Sequence, residues 1–151
     1  MKYDLNRFLQ AQERTYETAL AEIRAGRKRS HWIWYIFPQI RGLGFSTMAQ
    51  KYAIRDLEEA KAYMEEPVLR RRLLEISSVL LGLESRDPLA VMGSPDDLKL
   101  RSSMTLFAAA APEEAVFRDV LNAFYGGKAD RRTLKILQQQ SEEGSAGTYG
   151  G

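Results

Sequence analysis

The sequence predicts an all-α fold, a single compact and irregular bundle of about seven helices. Three observations carry that expectation. Apolar residues recur at spacings of three and four through most of the chain, capping residues and prolines recur between those stretches, and only one run reads as a strand, with no second run to pair with it.

From Asp4 to Ala25 the residues Leu5, Phe8, Leu9, Tyr16, Ala19, Leu20 and Ile23 share one helical face, and Gly26 follows as a left-handed stop. After a basic run comes Ser30-His31-Trp32-Ile33-Trp34-Tyr35-Ile36-Phe37, closed by Pro38. Periodicity alone leaves strand and buried helix open here. Since a lone strand has nothing to pair with, a short buried helix with Ser30 at its N-cap is expected. Gly42-Leu43-Gly44 reads as a loop continuing to about Thr47.

A helix carrying Leu57, Ala60, Ala62, Tyr63 and Met64 begins near Asp56 and ends by Glu66, because the residue before Pro67 is pushed out of the helical region. Pro67 opens the next helix, whose Leu69, Leu73, Ile76, Leu80 and Leu83 form a core stripe. Asp87-Pro88 and Ser94-Pro95 read as cap-plus-proline starts, the first of a short helix ending at Gly93, the second of a longer one reaching about Ala111. Pro112 to Tyr125 follows as a helix stopped by Gly126-Gly127, and Asp130 caps a last helix carrying Leu134 and Leu137. Leu73, Ile76, Leu80, Leu100, Met104 and Phe107 are expected in the core. Residues 1–140 form the helical domain, and the Gly/Ser-rich segment 141–151 has the composition of a flexible tail.

With 151 residues, 44% apolar and 28% charged, the chain can bury one core without crosslinks or metals. It has no cysteine, which excludes disulfides and thiol nucleophiles, and a single histidine with no carboxylate cluster beside it, so no metal and no cofactor is expected. The first turns carry Asp4 and Arg7, and no apolar run approaches the roughly 20 residues that a bilayer requires. A cytoplasmic monomer or small homo-oligomer, without a membrane partner, is the expectation. Net charge is only +2, and the basic clusters at Arg24 to Arg29, Arg70 to Arg72 and Arg131-Arg132 read as solvated faces rather than as a nucleic-acid surface.

The motifs of nucleophile elbows, phosphate-binding loops and zinc proteases are missing. Two stretches stand out instead. Lys28 to Gln39 concentrates the histidine and both tryptophans beside cations. Aromatic faces stack rings and a neighbouring cation holds phosphate, but Trp32, Trp34 and Phe37 read first as core residues, since Trp and Phe mostly bury large apolar area. In Lys99 to Phe107, the residues Lys99, Ser102, Ser103 and Leu106 line one helix side, where small hydroxyls suit either close packing or a polar pocket. The candidate ligand-binding residues are therefore Lys28, His31, Trp32, Trp34, Gln39, Arg41, Lys99, Ser102 and Ser103. His31 and Glu13 are candidates for proton transfer.

If the two stretches meet around a pocket, the chain binds or hydrolyses a phosphorylated or nucleotide-like small molecule. Buried indoles without a shared pocket instead describe a non-catalytic module that contacts protein or nucleic acid.

The string from Ser30 to Gln39, followed by Gly42-Leu43-Gly44 and Tyr52-Ala53-Ile54, and the string Asp97-Leu98-Lys99-Leu100-Arg101-Ser102-Ser103-Met104-Thr105-Leu106-Phe107 resemble the bacterial family catalogued as domain of unknown function 1810. The resemblance runs from about Asp4 to Leu137 and implies a compact all-α fold with no activity attached. Some relatives carry the label calpastatin, a disordered repeat inhibitor whose composition this chain does not share. Phe8-Leu9-Gln10-Ala11-Gln12 is in addition similar to a helix motif of the small helical glycohydrolases that act on ADP-ribose, which implies that Gln12 or Glu13 faces a ligand.

The all-α reading is checked by far-ultraviolet circular dichroism: the spectrum is expected to be that of helices, and one dominated by a β signal would overturn it.

Overall fold

A computed structural model describes residues 3–150, with side chains described through 143. Among the described residues it is all-helical: α1 (Asn6–Arg24), α2 (Ile33–Ile36), α3 (Thr47–Lys51), α4 (Leu57–Glu65), α5 (Pro67–Leu81), α6 (Pro88–Met92), α7 (Asp96–Ala110), α8 (Ala115–Tyr125) and α9 (Arg131–Gly150). No strand forms, and one isolated parallel bridge joins Ile40 to Ile54. None of these helices is long and apolar enough to cross a membrane.

Most boundaries follow from local chemistry. The Asp56 carboxylate accepts the Glu59 amide at 2.8 Å, Glu66 accepts Leu69 at 2.7 Å ahead of Pro67, and Asp87 accepts Leu89 at 3.0 Å ahead of Pro88. α1 ends in a Schellman turn: Gly26 adopts φ 80°, so that its amide reaches the Ile23 carbonyl at 2.8 Å and that of Arg27 reaches Glu22 at 3.1 Å. Gly126 stops α8 in the same left-handed region.

Three expectations about the helices need correction. Among the described residues nine helices stand where about seven were expected, and the one to which no stretch of the sequence was assigned is α3, within the segment read as a loop. It is five residues long, capped by Ser46, and carries no buried residue, so it leaves no apolar period to read. Ser30 is not the cap of α2, which starts three residues later without a side-chain cap, because the Ser30 hydroxyl is donated to Glu22. Ser94 does not cap α7 either; that helix begins after Pro95, and Asp96 and Asp97 supply negative charge to its first turn. α9 is described from Arg131 to Gly150, across the segment whose composition reads as a tail. Gly151 lies outside the described residues.

The core is organised around α7, which touches α2, α4, α6, α8 and α9. Over its middle turns a helix surrounded this way has no outer face, and Leu100, Ser102, Ser103, Met104, Thr105, Leu106, Phe107 and Ala110 are all buried, while Leu98 near its start stays exposed. The expected division into a polar side and an apolar side is therefore corrected: Ser102, Ser103 and Leu106 lie inside together with Leu100 and Met104. Ser102 and Thr105 satisfy their hydroxyls by donating to the carbonyls one turn back, Leu98 at 3.1 Å and Arg101 at 2.8 Å.

Phe107 sits at the centre, its ring 5.2 Å from that of Tyr63 and 5.9 Å from that of Phe117. The other expected core residues, Leu73, Ile76 and Leu80, are buried with it. Gln12 is buried too, its amide donating to the Tyr35 carbonyl at 2.8 Å and to the Tyr63 hydroxyl at 2.9 Å.

Phe107→Ala removes a ring that touches aromatics from two other helices. It is expected to cost about 3–5 kcal/mol by denaturant unfolding, the usual loss for a buried phenylalanine, and a loss below about 1 kcal/mol would contradict this packing.

Candidate functional site

The site begins with the way α1 holds the aromatic string. The Glu22 carboxylate accepts four hydrogen bonds from residues 29 to 32: the amides of Arg29 (2.7 Å) and Ser30 (2.9 Å), the Ser30 hydroxyl (2.5 Å) and the Trp32 indole (2.9 Å). Burial by itself would raise this carboxyl; the Ser30 hydroxyl, the Arg29 and Ser30 amides and the Trp32 indole outweigh it and bring the pKa down from 4.5 to about 2. With its start fixed, the chain runs through α2 to Gln39 and Ile40, where the bridge to Ile54 closes a loop over residues 40–54. The Ile54 amide donates to Gln39 and the Arg41 amide to Ile54, both at 2.8 Å.

Arg7 fastens the far leg of that loop. Its guanidinium donates to the Lys51 carbonyl at 2.9 Å and the Ala53 carbonyl at 2.8 Å while pairing with the buried Glu59 at 3.2 Å. At the near leg, Gly42 takes φ 107°, and a Cβ there would come within 3.3 Å of Ile136, so a side chain would be strained as well as crowded.

Between this loop, α7 and the start of α9 lies a cavity of about 320 Å³. Trp34 and Gln39 reach it from the first distinctive stretch, Lys99 and Ser102 from the second, and Arg101, Asp130 and Arg132 complete its polar wall. The Trp34 Nε1 is sealed from water and has no partner among the described residues, and the Lys99 ammonium stands 5.2 Å from the Trp34 ring. Lys99 also lies 3.6 Å from Asp96. Arg101 is occupied by the carbonyls of Lys128 (2.8 Å) and Ala129 (3.1 Å). Among the described residues, the side chains of Gln39 and Arg132 have no partner.

Asp130 Oδ2 accepts from the Ser102 hydroxyl (3.2 Å), the Thr133 amide (3.0 Å) and the Thr133 hydroxyl (2.6 Å), whereas Oδ1 has none. The wall thus carries three cations against one carboxylate. Among the described residues, no group of three or more histidine, aspartate or glutamate side chains is arranged to hold a metal.

The remaining candidates are elsewhere. Lys28 is used structurally: its ammonium pairs with Asp96 at 2.8 Å, donates to the Ser30 carbonyl and covers the Trp32 ring at 4.8 Å. Trp32 is a core residue, 1% exposed, and Ser103 is fully enclosed with an unpartnered hydroxyl. His31 and Arg41 are exposed and do not line the cavity. Glu13 is exposed in a second, more open depression with Gln10, Arg14 and Lys51, and Gln12 is buried and hydrogen-bonded in the core. Arg101, Asp130 and Arg132 were missed as site residues. Asp130 reads locally as a helix cap and Arg132 as one of a solvated pair, and nothing in the sequence brings them to Gln39.

Comparison with known proteins comes down on the fold and leaves the ligand open. The profile of the family described as "Protein of unknown function (DUF1810)" matches residues 2–137. The crystal structure of the conserved hypothetical protein Rv1873 from Mycobacterium tuberculosis is similar to this chain, with 46% sequence identity, a TM-score of 0.89, and coverage of 91% of this chain and 99% of that one. A comparison with curated proteins finds no match.

Because the folded pKa of Glu22 lies below its ordinary value, its stabilisation is complete above about 4.5 and is lost as the pH falls toward 2. Glu22→Gln keeps an acceptor but no charge, so its denaturation midpoint is expected to fall less than the parent's between pH 5 and pH 3; equal falls would show that the carboxylate is not held low. Glu22→Ala also leaves the Trp32 N–H unpaired, which costs roughly 1–3 kcal/mol at neutral pH.

Proposed function

The chain belongs to the DUF1810 family of proteins of unknown function, and we propose that it binds a small anionic molecule, phosphorylated or nucleotide-like, in the cavity between the 40–54 loop, α7 and the start of α9. One observation carries this reading: Lys99, Gln39 and Arg132, from three separate elements, converge on one cavity with donors that the protein does not use up.

Cationic and amide donors aimed into a shared concavity are what a phosphate or carboxylate requires, and a partly enclosed wall weakens the screening that makes surface pairs worth little. At about 320 Å³ the space is at the small end of ligand sites. The Ser102 hydroxyl is committed to Leu98 and Asp130, which favours binding over nucleophilic attack by this residue. A second reading, a protein-contact module, draws on Phe45 and Leu98, which are 75% and 57% exposed on the loop and on α7 beside the same cavity.

A thermal-shift panel of nucleotides, sugar phosphates and ADP-ribose tests the first reading, because a ligand that binds only the native state raises its melting temperature. At least one anion is expected to stabilise the protein. Lys99→Ala and Arg132→Ala are expected to abolish that shift while leaving the unliganded melting temperature nearly unchanged, since the Lys99–Asp96 pair is worth at most about 1 kcal/mol. Absence of any shift across the panel, or shifts that survive both substitutions, would exclude the cavity as an anion site.

A further inference from the structure

The geometry points to a more specific ligand, a sugar phosphate whose free hydroxyl is accepted by Asp130 Oδ1 while its phosphate meets Lys99 and Arg132; this rests on the anion-binding reading above.

A carboxylate is the wrong group to place in a cavity meant for an anion alone, because it repels the ligand at short range. Capping accounts for only half of it. Oδ2 takes the Thr133 amide and both hydroxyls, of Thr133 and Ser102, and asparagine or serine caps a helix about as well as aspartate does. What aspartate adds is a second acceptor, Oδ1, which has no partner among the described residues and belongs to a cavity-lining residue. Neither Lys99 nor Arg132 pairs with it; Lys99 is paired with Asp96 instead. Oδ1 is not sealed from solvent, so it is open to a donor that comes with the ligand.

That donor is neutral. Three cations on the wall disfavour an ammonium, whereas a hydroxyl carries no charge. The Trp34 ring is not a free shelf for a base, since the Lys99 ammonium already stands 5.2 Å from it. A ligand with a phosphate at one end and hydroxyls at the other, about the size of one monosaccharide, satisfies both ends of the wall within about 320 Å³.

Titration calorimetry with ribose 5-phosphate, inorganic phosphate and adenosine 5′-monophosphate tests this on the full chain. Ribose 5-phosphate is expected to bind at least about tenfold more tightly than inorganic phosphate, and Asp130→Asn, which exchanges the acceptor for a donor, is expected to bring the two within about threefold. Arg132→Gln is expected to weaken both about equally. If Asp130→Asn melts far below the parent, Asp130→Ser, which keeps a capping oxygen, carries the same comparison. Equal affinity of the parent for the two ligands, an unchanged ratio in the Asp130 variants, or adenosine 5′-monophosphate binding more than about tenfold tighter than ribose 5-phosphate each overturns the proposal and leaves the anion-binding reading standing. If none of the three ligands binds, both readings fall.

Discussion

A four-residue helix has no stability of its own in water, so α2 stands only because the chain on either side of it is tied down. The tie is Glu22. One carboxylate near the end of α1 gathers two amides, a hydroxyl and an indole from residues 29 to 32, and the low pKa of about 2 measures how strongly those donors favour its charged form. The same short neck is fastened on its other side, where the Lys28 amide donates to the Val91 carbonyl at 2.7 Å and its ammonium pairs with Asp96. Residues 28 to 32 therefore lock the C-terminus of α1 to the corner between α6 and α7. Every later position in the aromatic string inherits its place from that lock, including Trp34 and Gln39 at the cavity.

The opposite wall is set by α7, and its small hydroxyls explain how a buried helix can also present a polar surface. Ser102 shares its one hydroxyl hydrogen between the Leu98 carbonyl and the Asp130 carboxylate, and Thr105 donates to the Arg101 carbonyl while accepting the Asp130 amide at 2.8 Å, so both reach the beginning of α9. Longer polar side chains would not fit between α7 and its five neighbours. Serine and threonine do, and they hold Asp130 against α7 with one of its oxygens left over. The cavity is thus lined by groups that also hold the fold together, and its rigid parts need no ligand to form.

The third wall is a loop made rigid without a sheet. Its two ends meet in a single bridge, and Arg7 grips the returning leg through two backbone carbonyls while its charge is balanced by Glu59. A loop of this length closed only by one bridge would otherwise fluctuate. The guanidinium, flat and carrying five donors, serves two carbonyls and a carboxylate together, which a lysine ammonium could not do with the same geometry.

What the sequence determined by itself is the set of features whose physics is local. Asp56, Glu66-Pro67, Asp87-Pro88 and Asp130 cap helices through bonds to amides two or three residues on, Gly26 and Gly126 stop them by their own backbone freedom, and the stripe from Leu69 to Leu80 is buried because three- and four-residue spacing puts it on one face. Family membership was legible as well, from two long strings. The tertiary structure decided everything that depends on a distant partner. Ser30 left its expected cap because Glu22 stood closer to its hydroxyl; Lys28, a candidate ligand group by its neighbours, was taken by Asp96; and Ser103 went into the core because the middle turns of α7 are enclosed by neighbouring helices. Asp130 and Arg132 joined Gln39 only through the packing of α9 on α7. A polar side chain bonds to whichever group reaches it first in space, and across more than about one helical turn the order of residues does not say which group that is.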